Sequence, residues 1–520
     1  MADMLPNWQR ITAQLLPPVV LGAVAFALAL AITDPPGPGL DPDAMAYLGA
    51  AESLSAHGEF RVPTTHWASA DSTEPLAHFP PGYPTALALP VRLGMHPTQA
   101  ARLVQATAAF ITVATLVVIV TAASSAVTAA LVVIALFTMT SMHEVHASVL
   151  SEPVFLACLM LTLLGLVRWP ERPLAAALPA AAGVITRYAG LSLVGAAALW
   201  ALMQPGSWAA RIRRAVVVVL PAVMLQGAWV LRTRLLNGPE DIRTFELYGN
   251  LGPMLAQGGM TLAAWLVPDA EANTMPMRYH GAIAVAAGTA LVALATMGAA
   301  WIRYDRRSND DARAQRSRVA WRTIQALGVI VACYAAVVGA SRVLADPDIP
   351  LDERILAPAL LLFTMTAGIT LHAWRSHTRL VVARIAVTIA FAGWWVLAVE
   401  AVRGEVHYAL DWGSDFAGHQ WRTSETLAWA RTTGRGMPLW SNWPAAVYFH
   451  LHRPARELPR EAGAAELEAL ADTLRVRHGR ILMFDARASE FATMDMLRRT
   501  RGLRVAAELP DGTVFEASAP

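Results

Sequence analysis

Long apolar blocks, broken by short arginine-bearing or longer acidic stretches, run through residues 1–400. They fall at about 16–33, 98–119, 122–141, 151–168, 173–186, 189–204, 215–232, 281–302, 323–341, 355–373 and 381–399. Most approach the roughly 17–25 apolar residues that cross a hydrocarbon core about 30 Å thick. Backbone polar groups in lipid must be satisfied internally, which leaves helices or a closed barrel. Barrel strands alternate in polarity, whereas these blocks are continuous and rich in Ala, Leu and Val. The pattern therefore predicts an α-helical polytopic membrane protein with about eleven transmembrane helices. The 173–204 stretch is the least regular, because Arg187 and Tyr188 interrupt it.

After residue 400 the pattern changes to that of a water-soluble domain. Strands are predicted at 437–441, 480–485, 503–508 and 513–517, with helices near 422–433, 443–451, 464–477 and 488–499. That alternation reads as a small C-terminal α/β layer fold. The expected division is a membrane domain over 1–400 and an extracytoplasmic domain over 401–520. Two further outer segments are expected at about 34–97 and 233–280. No internal repeat or low-complexity tract is visible.

Composition sharpens the membrane reading. Of 520 residues, 55% are hydrophobic and 15% charged, and the mean hydropathy is +0.41. Soluble chains carry roughly 25% charged residues. Cys158 and Cys333 both lie inside apolar blocks, as small buried hydrophobes rather than a disulfide. The first block lacks a small-residue cleavage site and reads as an anchor, not a cleaved leader.

Every residue counted as Lys or Arg is Arg, and arginine placement sets the orientation. With the N-terminus inside, the inner loops carry Arg168, Arg172, Arg211, Arg213 and Arg214, then the run from Arg303 to Arg322, then Arg375, Arg379 and Arg384. The first outer loop is acidic, with Asp34, Asp41, Asp43, Glu52 and Glu59. This is the positive-inside pattern. Asp305, Asp310 and Asp311 within the 303–322 run argue against nucleic-acid binding there. The expected location is the bacterial inner membrane, with the C-terminal domain outside.

Ionisable residues near membrane depth are expensive and mark candidate chemistry. In Asp41-Pro42-Asp43-Ala44-Met45-Ala46-Tyr47, Pro42 suits a first helical turn and Asp41 a cap. Asp43 and Tyr47 are then neighbours on one face, where a carboxylate could take a proton from a hydroxyl. The competing reading is that both aspartates only cap a helix. His143, His146 and Glu152 could form a polar wall around a sugar or cation, or a metal set. The bland alternative is a solvated loop and a cap. Thr186-Arg187-Tyr188 is a polar break of the kind tolerated beside a water-filled cavity. Arg354, in Asp352-Glu353-Arg354, has a planar fork suited to a lipid phosphate, or pairs locally with Asp352.

These clusters, taken in order, resemble the GT-C class of integral-membrane glycosyltransferases. The resemblance is to bacterial enzymes related to protein mannosyltransferases and the aminoarabinose transferase of lipid A. It rests on Asp43-x-x-x-Tyr47, His78-Phe79-Pro80-Pro81-Gly82-Tyr83-Pro84, Ser151-Glu152-Pro153, Thr186-Arg187-Tyr188, and Asp352-Glu353-Arg354 followed by Pro358. Ser441-Asn442-Trp443-Pro444 and Val447-Tyr448 resemble the outer domain of many members more loosely. The resemblance implies inverting transfer of a sugar from a polyprenyl-phosphate donor to a protein, lipid or glycan acceptor on the outer side.

Asp43 matches the family's catalytic carboxylate, and Glu152 is a second catalytic candidate. Asp41, Tyr47, His78, Tyr83, His143, His146, Arg187, Tyr188, Arg342 and Arg354 are substrate-binding candidates. Arg354, with Arg187 or Arg342, would offset the charge of the departing phosphate. Some members use a divalent cation such as Mg or Mn. Ala44 stands where some carry a second acidic residue, which weakens that expectation here. The alternative is a transporter or lipid flippase, which often shows paired broken helices in internal repeats. Pro80, Pro81 and Pro84 are expected to shape short helices in the first outer loop.

Overall fold

The computed structural model describes residues 7–237, 247, 251–268, 277–345, 349–460, 463–486 and 491–518. It divides into two compact units. One comprises Met1–Ile32, Pro80–Tyr83 and Arg102–Ala409; the other comprises Thr33–Phe79, Pro84–Ala101 and Leu410–Pro520.

The first unit is a helical bundle, and each of the eleven apolar blocks falls on helix. Seven helices are long and apolar enough to cross a membrane: Leu15–Ile32, Pro97–Ala123, Trp208–Leu236, Gly281–Asp305, Asp311–Leu344, Glu353–His377 and Val381–Trp412. Ala126–Phe137 and Thr140–Ala147 make an eighth if read as one span bent by 69°. The other three blocks form Glu152–Arg168, Leu174–Thr186 and Leu191–Met203, with 17, 13 and 13 residues. The chain is a multi-pass membrane protein.

Polar side chains punctuate these helices. Asp310 Oδ1 accepts from the backbone of Ala312 and Arg313 at 3.0 and 3.2 Å, and Asp352 Oδ1 from Ile355 at 2.9 Å. Each satisfies a donor that the first helical turn leaves open. The bundle interior mixes large and small apolar side chains, among them Leu156, Leu159, Ala177, Ala180, Leu193 and Leu327. Outward-facing Val216, Val223, Val382 and Ile389 are exposed, as residues facing hydrocarbon would be. The segment expected as the second outer loop holds a further helix, Leu251–Leu266. Its length and apolar composition fell below the spanning pattern. Parts of that loop, and residues 487–490 of the predicted helix near 488–499, lie outside the described residues.

The second unit joins the segment that follows the first apolar helix to the C-terminal region. Its strands are β1 Arg61–Val62, β2 Thr64–Thr65, β3 Glu74–Pro75, β4 Leu439–Ser441, β5 Ala455–Glu457, β6 Arg480–Phe484, β7 Leu503–Leu509 and β8 Gly512–Ala517. Six of them form one sheet in the order β2-β5-β4-β6-β8-β7. The first four are parallel and the last two antiparallel. Strands β4, β6, β7 and β8 fall where the hydrophobic pattern places them. Strands β2 and β5, of two and three residues, are too short to show a period. Trp440, Leu470, Leu474, Ile481, Leu497 and Phe515 fill the core under this sheet.

The edge strand β2 belongs to the segment after the first apolar helix, so that segment and the C-terminal region complete one sheet. Arg456, 7% exposed, reinforces the join. Its guanidinium donates to the carbonyls of Ser69, Ala70 and Asp71 at 3.1, 3.2 and 3.1 Å and lies 5.0 Å from the centre of the Trp440 ring. The Trp440 indole N–H donates to the Trp67 carbonyl at 2.9 Å.

Candidate active site

In the membrane unit, the ends of three helical segments bring one carboxylate and two guanidinium groups together. Glu152 opens the Glu152–Arg168 helix and is 2% exposed. Arg187 is the extended residue between Leu174–Thr186 and the short turn Tyr188–Gly190, with φ −148° and ψ 141°. Arg354 lies in the first turn of Glu353–His377. Arg187 Nη1 is 2.7 Å from Glu152 Oε2, and Arg354 Nε donates to Glu152 Oε1 at 3.2 Å. Arg187 Nη1 also donates to Ser151 Oγ at 2.9 Å, which occupies the hydroxyl that would otherwise cap the helix.

The formal charge of this triad is +1. A buried carboxylate with a single cation would be neutral and of little use to an anion. The second guanidinium tips the cluster positive, while Glu152 holds both arginines in place. The Asp352 carboxylate caps the helix, and the Arg354 Nε donates to Glu152. Among the described residues Arg342 has no ion pair; it sits half-buried in the last turn of Asp311–Leu344.

The break that presents Arg187 needs a close backbone approach. A Cβ on Gly82 would lie 2.6 Å from the Ile185 carbonyl oxygen, so only glycine fits there. Tyr83, next in the chain, is fully buried. Tyr188 is half-buried in the turn that follows Arg187. Tyr334, one aromatic within the 323–341 apolar block, donates from its hydroxyl to the Ile355 carbonyl at 2.6 Å. It thereby ties its helix to the turn carrying Arg354.

His143 and His146 lie on Thr140–Ala147, His143 buried and His146 bonded through Nδ1 to the Met142 carbonyl at 2.9 Å. Among the described residues no three His, Cys, Asp or Glu side chains gather as a metal-ligand set. The guanidinium partners of Glu152 make that carboxylate a poor cation ligand. Among the described residues, the side chains gathered here do not fit a protein-held divalent ion.

In the second unit, Asp41 caps the Pro42–His57 helix, accepting from the Ala44 backbone at 2.7 Å, with Pro42 in the first turn. Asp43 is half-buried in that turn and Tyr47, 3% exposed, follows one turn on. The Tyr47 ring stands 4.8 Å from Phe79, and exposed His78 meets the Phe79 ring edge-on at 4.7 Å. The helix therefore shows a carboxylate and an aromatic wall on one side.

No protein-family model and no curated protein matches this chain. Solved structures do. Arabinofuranosyltransferase AftD from Mycobacteria aligns with a TM-score of 0.54 at 12% identity, over 96% of this chain and 41% of that one. The fold is that of the GT-C class of membrane glycosyltransferases. The chain spans less than half the length of that mycobacterial enzyme. ArnT from Cupriavidus metallidurans, bound to undecaprenyl phosphate, aligns with a TM-score of 0.43 at 15% identity, over 97% of this chain and 98% of that one. AglB from Archaeoglobus fulgidus, in complex with an inhibitory peptide and a dolichol-phosphate, gives 0.46 at 12% identity, over 90% and 69%. The Glu152 triad and the Asp43 helix are the two candidate sites that the sequence singled out and the structure describes.

Proposed function

We propose that this protein transfers a sugar from a polyprenyl-phosphate donor to an acceptor hydroxyl on the extracytoplasmic side of the bacterial inner membrane, with inversion. The Glu152–Arg187–Arg354 triad carries this reading. A sugar linked through a phosphodiester has one negative charge; once the sugar leaves, the lipid phosphate carries nearly two. A rigid cluster with net charge +1 favours that gain, because its donors are already oriented when the charge develops.

Transfer needs the acceptor oxygen to attack the anomeric carbon from the face opposite the phosphate. The new glycosidic bond forms as the bond from carbon to phosphate oxygen breaks, and that electron pair leaves with the phosphate. Asp43 takes the proton that the acceptor hydroxyl loses. A carboxylate is a suitable base here because the hydroxyl becomes acidic only as the new bond forms. Tyr47 and His78 would contact the sugar or acceptor beside it, and Asp41 supports the turn. Arg187 and Arg354 bind the phosphate, and Glu152 orients them.

The test is transfer from a panel of radiolabelled undecaprenyl-phosphate-linked pentoses and hexoses, in membranes with the full-length protein. Transfer with an inverted anomeric centre in the product supports the reading. Translocation of the intact donor without bond cleavage would replace it with a flippase.

A further inference from the structure

The Asp43 helix is held from its opposite side by the C-terminal region. Glu52 follows Asp43 by nine residues, which at about 100° per residue places it about 180° around the helix. Its carboxylate accepts a hydrogen bond from the Tyr448 hydroxyl, on the helix Pro444–Leu451. Burial, and then the Glu52 carboxylate, push the Tyr448 phenol well above its ordinary value, so it stays a donor.

The same short helix reaches the other end of the Asp43 helix. His450 Nε2 donates to the Phe416 carbonyl at 2.8 Å, and the Phe416 N–H donates to the Leu40 carbonyl at 3.1 Å. Leu40 directly precedes the Asp41 cap. The middle is gripped too: a Cβ on Gly49 would come 2.4 Å from Pro63 Cδ, so the helix back lies directly on the β1–β2 segment. Held at Leu40, Gly49 and Glu52, the helix has little freedom to turn about its axis. Rotation about that axis is the motion that would carry Asp43 off its target.

We propose that Tyr448 is a positioning residue for sugar transfer, setting through Glu52 the orientation of the helix that bears Asp43. This rests on the glycosyltransferase reading given above. It assigns the C-terminal region a part in the chemical step rather than only in acceptor selection. Misplacement of a base by a fraction of its hydrogen-bond reach lowers the rate without changing how tightly the donor is held.

The experiment compares wild type with Tyr448→Phe, Glu52→Gln and Glu52→Ala as full-length proteins, using whichever donor of the undecaprenyl-phosphate panel wild type accepts. Tyr448→Phe should lower kcat about tenfold, the weight of one hydrogen bond to a charged acceptor, with KM for the donor unchanged. Glu52→Gln, which still accepts from the phenol, should lose less than Glu52→Ala. Amide hydrogen exchange over the Asp43 helix should rise in Tyr448→Phe. Wild-type kcat in Tyr448→Phe, in an otherwise active enzyme, would overturn the positioning role alone. A rise in KM with kcat intact would also overturn it. No transfer by wild type from any donor would overturn the glycosyltransferase reading and this inference with it.

Discussion

Glu152 and Arg354, 202 positions apart in the chain, meet at 3.2 Å, with Arg187 closing on the other carboxylate oxygen at 2.7 Å. The carboxylate is almost wholly buried, while its two partners keep about a fifth to a quarter of their side chains exposed, at 19% and 24%. The cluster is thus anchored by its buried carboxylate.

Removing the anchor should be costly. Glu152→Ala leaves two guanidinium groups facing each other without a counter-charge, and breaking a buried pair in this way costs about 3–5 kcal/mol. Thermal unfolding of the purified protein should show a clear fall in midpoint, with Glu152→Gln between Ala and wild type. An unchanged midpoint in Glu152→Ala would mean that the triad is not what holds those helix ends together.

Arginine at 354 should not be replaceable by lysine. The planar guanidinium meets Glu152 through Nε, a directed geometry that a single ammonium cannot imitate. Arg354→Ala should lower sugar transfer by roughly a hundredfold or more, the typical loss of one charge-stabilising donor. Arg354→Lys should recover only part of it. Full recovery by lysine would reduce the site's requirement to charge alone.

Gly82→Ala tests the packing behind Arg187. The added methyl meets the Ile185 carbonyl oxygen at 2.6 Å and can be accommodated only by moving backbone. A destabilisation of roughly 1–3 kcal/mol is expected, as for other overpacked sites. Phosphate-lipid binding should weaken in parallel, because the displaced backbone directly precedes Arg187.

Arg456→Met tests the join within the second unit. The substitution keeps bulk over Trp440 but removes the donor to three loop carbonyls. Hydrogen exchange and proteolysis over residues 66–75 should accelerate, while the core strands β4 and β6 keep their protection. Uniform loss of protection would instead show that Arg456 supports the whole sheet.

Much of this was legible in the sequence because it depends on local pattern. The apolar blocks fall on helices, Asp41 caps the helix of Asp43, and strands β4, β6, β7 and β8 lie where alternation put them. Glu152, Arg187 and Arg354 could be singled out one at a time because charge at membrane depth is rare. Their convergence could not be read, since it depends on how helices widely separated in sequence pack. Strand β2 was hidden for a different reason: two residues of extended chain have no periodicity, and their partner lies in the C-terminal region. Glu52 looked like one more acidic loop residue until Tyr448 was placed beside it.

Proton transfer to Asp43 is the step on which the proposed sugar transfer turns. Its most direct test compares wild type with Asp43→Asn at matched expression, measuring transfer and binding of the same radiolabelled undecaprenyl-phosphate sugar. Asp43→Asn should bind the donor as wild type does and lose transfer by about two to four orders of magnitude, the usual weight of a general base. Equal transfer by the two proteins would contradict it and remove Asp43 from the chemistry.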